Sequence, residues 1–135
     1  MITQYGVLAY RAVEGGEPLI LLVTSRETRR WVIPRGNPVV GLPPPLSAAE
    51  EAWEEAGVRG ETDPQEIGSY RYQKRRRVGS VAAEVFIYPL HVAEELDEWP
   101  EQAERERRWF RREEAAAAVE EADLAALISS FDPRR

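Results

Sequence analysis

Glu51, Glu54 and Glu55 stand three and four residues apart. On a helix turning about 100° per residue, that spacing gathers three carboxylates into one sector. Ala49, Trp53 and Ala56 fall on the opposite side, giving an apolar back on which Trp53 should be buried. Carboxylates this close repel one another, so the cluster is costly unless a cation neutralises it. Hard divalent cations with oxygen ligands are the usual solution. The competing reading is a solvated helix face, which is what most charge runs are.

The elements around the cluster follow from turn and breaker residues. Residues 36–46 hold Gly36, Gly41 and Pro43-Pro44-Pro45 and read as a loop with no helical continuation. Ser47 and Glu50 match a capping box, so the helix is expected from Ser47 to about Ala56, with Gly57 ending it. Tyr5–Tyr10 and Leu19–Thr24 flank Glu14-Gly15-Gly16-Glu17 as a hairpin, and Trp31-Val32-Ile33 is a short strand stopped by Pro34. Residues 67–77 and 81–92 form a second, longer hairpin. Val85 and Ile87 share one face of its second strand and Phe86, Tyr88 and Leu90 the other, as in a central strand covered on both sides. Trp109-Phe110 is a further short strand. Residues 113–119 and 122–131 read as helices, the latter with an apolar stripe of Leu124, Leu127, Ile128 and Phe131. The order implies an α/β (α+β) sandwich around a mixed sheet.

The chain has 135 residues, 43% hydrophobic and 31% charged, which suits one domain spanning residues 1–135. No apolar run is long enough to span a bilayer, and the first ten residues lack a signal-peptide layout. The absence of cysteine excludes disulfides and thiolate metal sites and is compatible with a cytoplasmic location. One histidine, His91, leaves no basis for a His-rich zinc site or a Ser-His-Asp triad. The net charge of −6 makes nucleic-acid binding unlikely as a general function. Chemistry must come from carboxylates, arginines, backbone and a hard metal.

Gly36, Glu51, Glu54, Glu55, Gly57 and Val58 stand at the spacing of a Nudix box, which this segment resembles. Ala52 is a small stand-in for the first aliphatic position of the box. Leu42 stands where the box has its first Glu, and Glu50 where it has its Arg. Leu21 to Arg26, Arg30 to Gly36 and Asp97 to Phe110 are similar to the diphosphoinositol polyphosphate phosphohydrolase branch of that family. The resemblance implies a Nudix α/β/α sandwich and metal-dependent hydrolysis of a diphosphate bond in a small phosphorylated substrate, with Mg²⁺ or Mn²⁺ as cofactor. It implies Glu51, Glu54 and Glu55 as metal ligands, with the Gly36 carbonyl as another. Many members of the family dimerise, so a homodimer is open. The changed positions Leu42 and Glu50 leave a second reading, a Nudix-fold module that binds a nucleotide or polyphosphate without hydrolysing it.

Glu54 or Glu55 is the first choice for the water-activating base, with Glu104 and Glu106 as loop candidates that are otherwise surface charge. Arg26, Arg30 and Arg35 near the box, and Arg105 and Arg107 before Trp109, are candidates for substrate phosphate, because guanidinium forks suit phosphate oxygens. Arg71, Lys74, Arg75, Arg76 and Arg77 form the densest basic run. Three readings compete: a charged guard on an edge strand, a phosphate-facing patch, or nucleic-acid contact with Tyr70 and Tyr72 stacking. Trp31, Trp53, Trp99 and Trp109 read as core.

Overall fold

A computed structural model describes residues 1–134. β1 (Ile2–Arg11), β2 (Leu19–Thr24), β3 (Trp31–Val32) and β4 (Arg35–Gly36) precede α1 (Pro44–Ala56). β5 (Val58–Thr62), β6 (Gly68–Arg75), β7 (Ser80–Glu95) and β8 (Arg107–Arg111) follow, then α2 (Arg112–Ala118) and α3 (Ala122–Ser130).

The strands form one mixed sheet along the path β3-β2-β1-β7-β5, with β4 on β1, β6 on β7 and β8 on β2. The long central pairing, β1 with β7, is parallel and runs from Ile2 opposite Ala83 to Tyr10 opposite His91. The other pairings are antiparallel. Both faces of the sheet are covered. On one, Val7, Leu21, Val23, Tyr88 and Leu90 pack against Ala48, Ala52 and Ala56 of α1. On the other, Leu8, Ile20, Val85 and Ile87 pack against Leu124 and Ile128 of α3 and Ala115 of α2. The two-faced apolar pattern of residues 85–90 thus marks a strand covered on both sides, and the α/β/α sandwich is the architecture observed.

α1 begins four residues earlier than its sequence suggests, at Pro44 rather than after Ser47. The first helical N–H groups have no intrahelical acceptor, so prolines at the first positions lose nothing and bring a preset φ. Ser47 is therefore buried inside the first turn, and its Oγ accepts from Val39 N–H at 2.9 Å, pulling the loop onto the helix. Glu50 does not act as part of a cap. At the other end Gly57 has φ +66°, and a Cβ there would lie 2.8 Å from the Trp99 ring, so glycine is required twice over.

Trp53 is half-buried rather than core, with the Arg59 guanidinium 4.0 Å above its ring. The four tryptophans share this arrangement: Trp31, Trp99 and Trp109 are also half-buried and lie under Arg108, Arg107 and Arg11. An indole with a cation on its outer face is covered without needing a place in the core. β4 and β5 were not legible in the sequence, being a two-residue pairing and a polar segment.

Candidate functional site

Five carbonyls in succession at the C-terminal end of α1 find donors, and four of those donors come from neighbouring turns of the chain after β5. Trp53 C=O accepts from Gly57 N–H, Glu54 C=O from Glu101 N–H at 3.0 Å and Gly57 C=O from Leu96 N–H at 2.9 Å. Glu55 C=O accepts from Trp99 Nε1 at 3.0 Å and Ala56 C=O from Arg107 at 2.8 Å. Helix ends leave such carbonyls without intrahelical partners. Here the connection from β7 to β8 supplies them and is thereby fixed against the acidic helix. Arg107 is committed to this cap, to Glu95 at 3.4 Å and to the Trp99 ring, and it lies outside the cleft.

The same docking forms one wall of a cleft of about 460 Å³. Glu51, Glu54, Glu55, Gly36 and Glu101 line it, together with Arg26, Arg30, Arg35, Lys74 and Arg75. Seven of the sequence-derived candidates at the box and among the basics thus meet in one place: Gly36, the three glutamates, Arg26, Arg35 and Arg75. Arg30 lines the cleft too, but its guanidinium is held by Glu120 at 2.7 Å and Glu121 at 3.2 Å. Glu104 and Glu106 do not line it. Glu104 is exposed and faces Arg26 at 3.8 Å, and Glu106 N–H donates to Thr24 Oγ1.

Glu55 is 7% exposed. Arg105 lies 3.3 Å from its Oε2, and Arg35 N–H donates to its Oε1 at 3.2 Å. Burial outweighs these contacts, and with Glu51 and Glu101 nearby its carboxyl is pushed up to about 8. Glu51 is pushed up to about 7 by burial and by the charges of Glu54 and Glu101. Glu54 is raised less, again by burial first and then by Glu50 and Glu101. Glu51 also packs directly on Gly36, where a Cβ would come within 2.2 Å of its Oε1. The missing side chain is what lets strand β4 and helix α1 meet at the cleft floor.

Arg105 lines the cleft, yet its guanidinium is spent internally. It donates to Glu101 Oε1 at 2.7 Å and to Thr24 C=O at 3.0 Å, besides pairing with Glu55. Glu101 had no place in the sequence-derived site. The signal was present as Glu101 and Arg105 four residues apart, but the run Glu101 to Arg108 holds many such pairs.

Arg35 is the opposite case. It is half-buried, it has no acid partner among the described residues, and its guanidinium donates to Tyr70 Oη at 2.7 Å. It lies 3.8 Å above the Tyr72 ring. Tyr72 Oη in turn donates to Gln4 Oε1 at 2.6 Å. The phenol oxygens favour the charged guanidinium against burial and hold its affinity for the proton above the ordinary arginine range. They also remove the stacking role considered for Tyr70 and Tyr72, since Tyr70 is 1% exposed and the Tyr72 face is occupied.

Among the described residues no three acid or imidazole side chains already converge as a metal-ligating group. The fit to a metal is one of donor chemistry and charge. The donors are all oxygen. Glu51, Glu54 and Glu55 are raised first by burial and then by neighbouring carboxylates, and of the three only Glu55 has a contacting guanidinium, so a hard divalent cation would relieve what the fold alone leaves strained.

Comparison with known proteins identifies the family. Nudix hydrolase 4 of Arabidopsis thaliana is 31% identical over 112 residues, 83% of this chain and 53% of that protein. Diphosphoinositol polyphosphate phosphohydrolase 2 of Rattus norvegicus is 30% identical over 115 residues, 84% of this chain and 60% of that protein. The chain therefore spans between half and two thirds of the length of these relatives. Among solved structures, a C. elegans Ap4A hydrolase binary complex is similar in fold at TM-score 0.68 and 17% identity, covering 95% of this chain and 93% of that one. The NUDIX domain of Shewanella oneidensis NrtR complexed with ADP ribose is similar at TM-score 0.67 and 10% identity, covering 94% and 85%. The family model for the NUDIX domain matches residues 3–131, and the chain belongs to that family.

Proposed function

We propose that the protein is a Mg²⁺- or Mn²⁺-dependent hydrolase of a phosphoanhydride bond. Its substrate would be a nucleoside diphosphate linked to a further moiety, a dinucleoside polyphosphate or a diphosphoinositol polyphosphate. The observation that carries this reading is the meeting of two charge sets in one cleft: the carboxylates of α1, and Arg35 of β4, whose guanidinium has no acid partner among the described residues. Glu51, Glu54, Glu55 and the Gly36 carbonyl would hold the metal. A bound divalent cation neutralises diphosphate oxygens and makes a water more acidic.

The remaining work falls to the chain's own groups. Arg35, with Arg26 and Arg75 at the cleft edge, would hold phosphate oxygens and oppose the negative charge that builds on them. Glu55 is fixed by Arg105 and the Arg35 N–H, which suits a ligand held in one orientation. Glu54 has no such side-chain partner and a raised proton affinity, which supports a second role for it as the base that would take the proton of the attacking water. Arg105 positions Glu55 rather than touching substrate.

The second reading, binding without turnover, is favoured by Leu42 and Glu50. Leu42 is 39% exposed, and Glu50 adds a further negative charge beside Glu54. Both readings are separated by incubating the protein with ADP-ribose, dinucleoside polyphosphates and diphosphoinositols under each metal and measuring product release. Metal-dependent turnover is expected. Ligand-induced thermal stabilisation with no turnover under any metal would overturn the hydrolase reading.

A further inference from the structure

Five of the 18 Lys and Arg residues fall within 71–77. Elsewhere cations are engaged: Arg30, Arg105 and Arg112 each meet a carboxylate, and Arg59 and Arg108 lie on indole rings. Arg71, Lys74, Arg75, Arg76 and Arg77 have no acid within ion-pairing distance among the described residues. Lys74 reaches only Asn37 Oδ1, at 3.4 Å.

Guarding an edge explains part of this. β6 pairs with β7 alone, and charge along a free strand edge opposes addition of another strand. Arg76 and Arg77 lie past the end of β6, in the turn, where no ladder needs guarding. Lys74 and Arg75, by contrast, line the cleft. The unpaired charge therefore starts at the cleft and leads away from it. Tyr72 to Arg75 alone spans about 10 Å at about 3.3 Å per residue. This strand segment by itself is longer than one diphosphate, and Arg76 and Arg77 follow it in the turn. It does not suit a base either, because Tyr72 is the one aromatic ring lining the cleft and Arg35 covers its face.

We propose that the hairpin joining β6 and β7 is a distal polyanion subsite, in which Lys74, Arg75, Arg76 and Arg77 hold phosphates beyond the scissile diphosphate. The favoured substrate then carries a chain of phosphates rather than a single diphosphate. This rests on the reading of the cleft as a diphosphate site, but it can be tested without turnover.

Calorimetric titration in chelator with pyrophosphate, tripolyphosphate and a longer linear polyphosphate reads the subsite directly. Affinity is expected to rise about tenfold or more from pyrophosphate to the longer chain, with a steep salt dependence. The Arg76→Gln/Arg77→Gln variant should lose most of that gain, and Arg111→Gln/Arg134→Gln, which removes the same charge elsewhere, should keep it. Chain-length-independent binding, or an equal loss in both variants, would overturn the proposal. Tighter binding of an RNA oligonucleotide than of polyphosphate of equal charge would also overturn it. Chain-length-dependent binding in a protein that hydrolyses nothing would support the subsite and remove only the hydrolase reading.

Discussion

The Arg105 guanidinium lies 3.3 Å from the Glu55 carboxylate, with 8% and 9% of the two side chains exposed. A buried pair of this kind adds little over an apolar pair, but breaking it by removing one partner leaves an uncompensated charge. Arg105→Met is expected to cost about 3–5 kcal/mol where Glu55 must ionise. The loss should shrink below about pH 8, where Glu55 can take up a proton instead. Denaturant unfolding on both sides of pH 8 checks this, and a pH-independent loss would assign the effect to packing.

Metal-free stability should fall as pH rises. Glu51 and Glu55 bind protons more tightly in the fold than in the unfolded chain, where carboxyls titrate near 4.5. The folded state therefore holds more protons between about pH 4.5 and 8, and its stability is greatest below that window and declines through it. Glu55, being nearly buried, should contribute a slope of up to about 1.4 kcal/mol per pH unit. Glu55→Gln should flatten the curve, and added Mg²⁺ should restore stability most at the alkaline end. Unfolding midpoints across pH, with and without metal, would show an unchanged slope in the variant if Glu55 is not the source.

Glu54→Gln should lower turnover by about 10²–10⁴-fold, the range for a general base, while leaving stability near that of the parent because the side chain has no partner to lose. Glu55→Gln should also abolish turnover, through lost metal binding. Turnover surviving both changes would mean that the reaction occurs elsewhere.

Gly36→Ala tests the contact between β4 and α1. A Cβ within 2.2 Å of Glu51 Oε1 must displace that carboxylate. Half-saturating metal is expected to rise about 10–100-fold, as when a ligand loses its support. Mn²⁺ titration followed by water proton relaxation would report it independently of activity, and an unaltered affinity would remove Glu51 from the ligand set.

Much of the fold was legible because its cause is local. Continuous apolar runs mark β1, β2 and β7, the stripe of Leu124 and Ile128 marks α3, and a glycine that must adopt positive φ ends α1 at Gly57. The start of α1 was not, because Ser47 and Glu50 fit a local cap as well as Pro43 to Pro45 fit a first turn. Packing of Ser47 Oγ onto the Val39 N–H decided between them.

The candidate site divides in the same way. Spacing alone placed Glu51, Glu54 and Glu55 in one sector, because a helix carries its periodicity in the sequence, and the resemblance to the Nudix box tied them to Gly36. Which arginines face them could not be read so, since that depends on contacts between residues far apart in the chain. Arg105 and Arg107 are two positions apart, yet one turns inward to Glu55 and Glu101 and the other caps Ala56. Arg35 stays free of any acid because Tyr70 and Tyr72, some 35 residues away, supply the oxygens and ring that shelter its charge. The sequence by itself determined the acidic turn and the layers that support it. Only the tertiary structure decided which cations remain available to a phosphate.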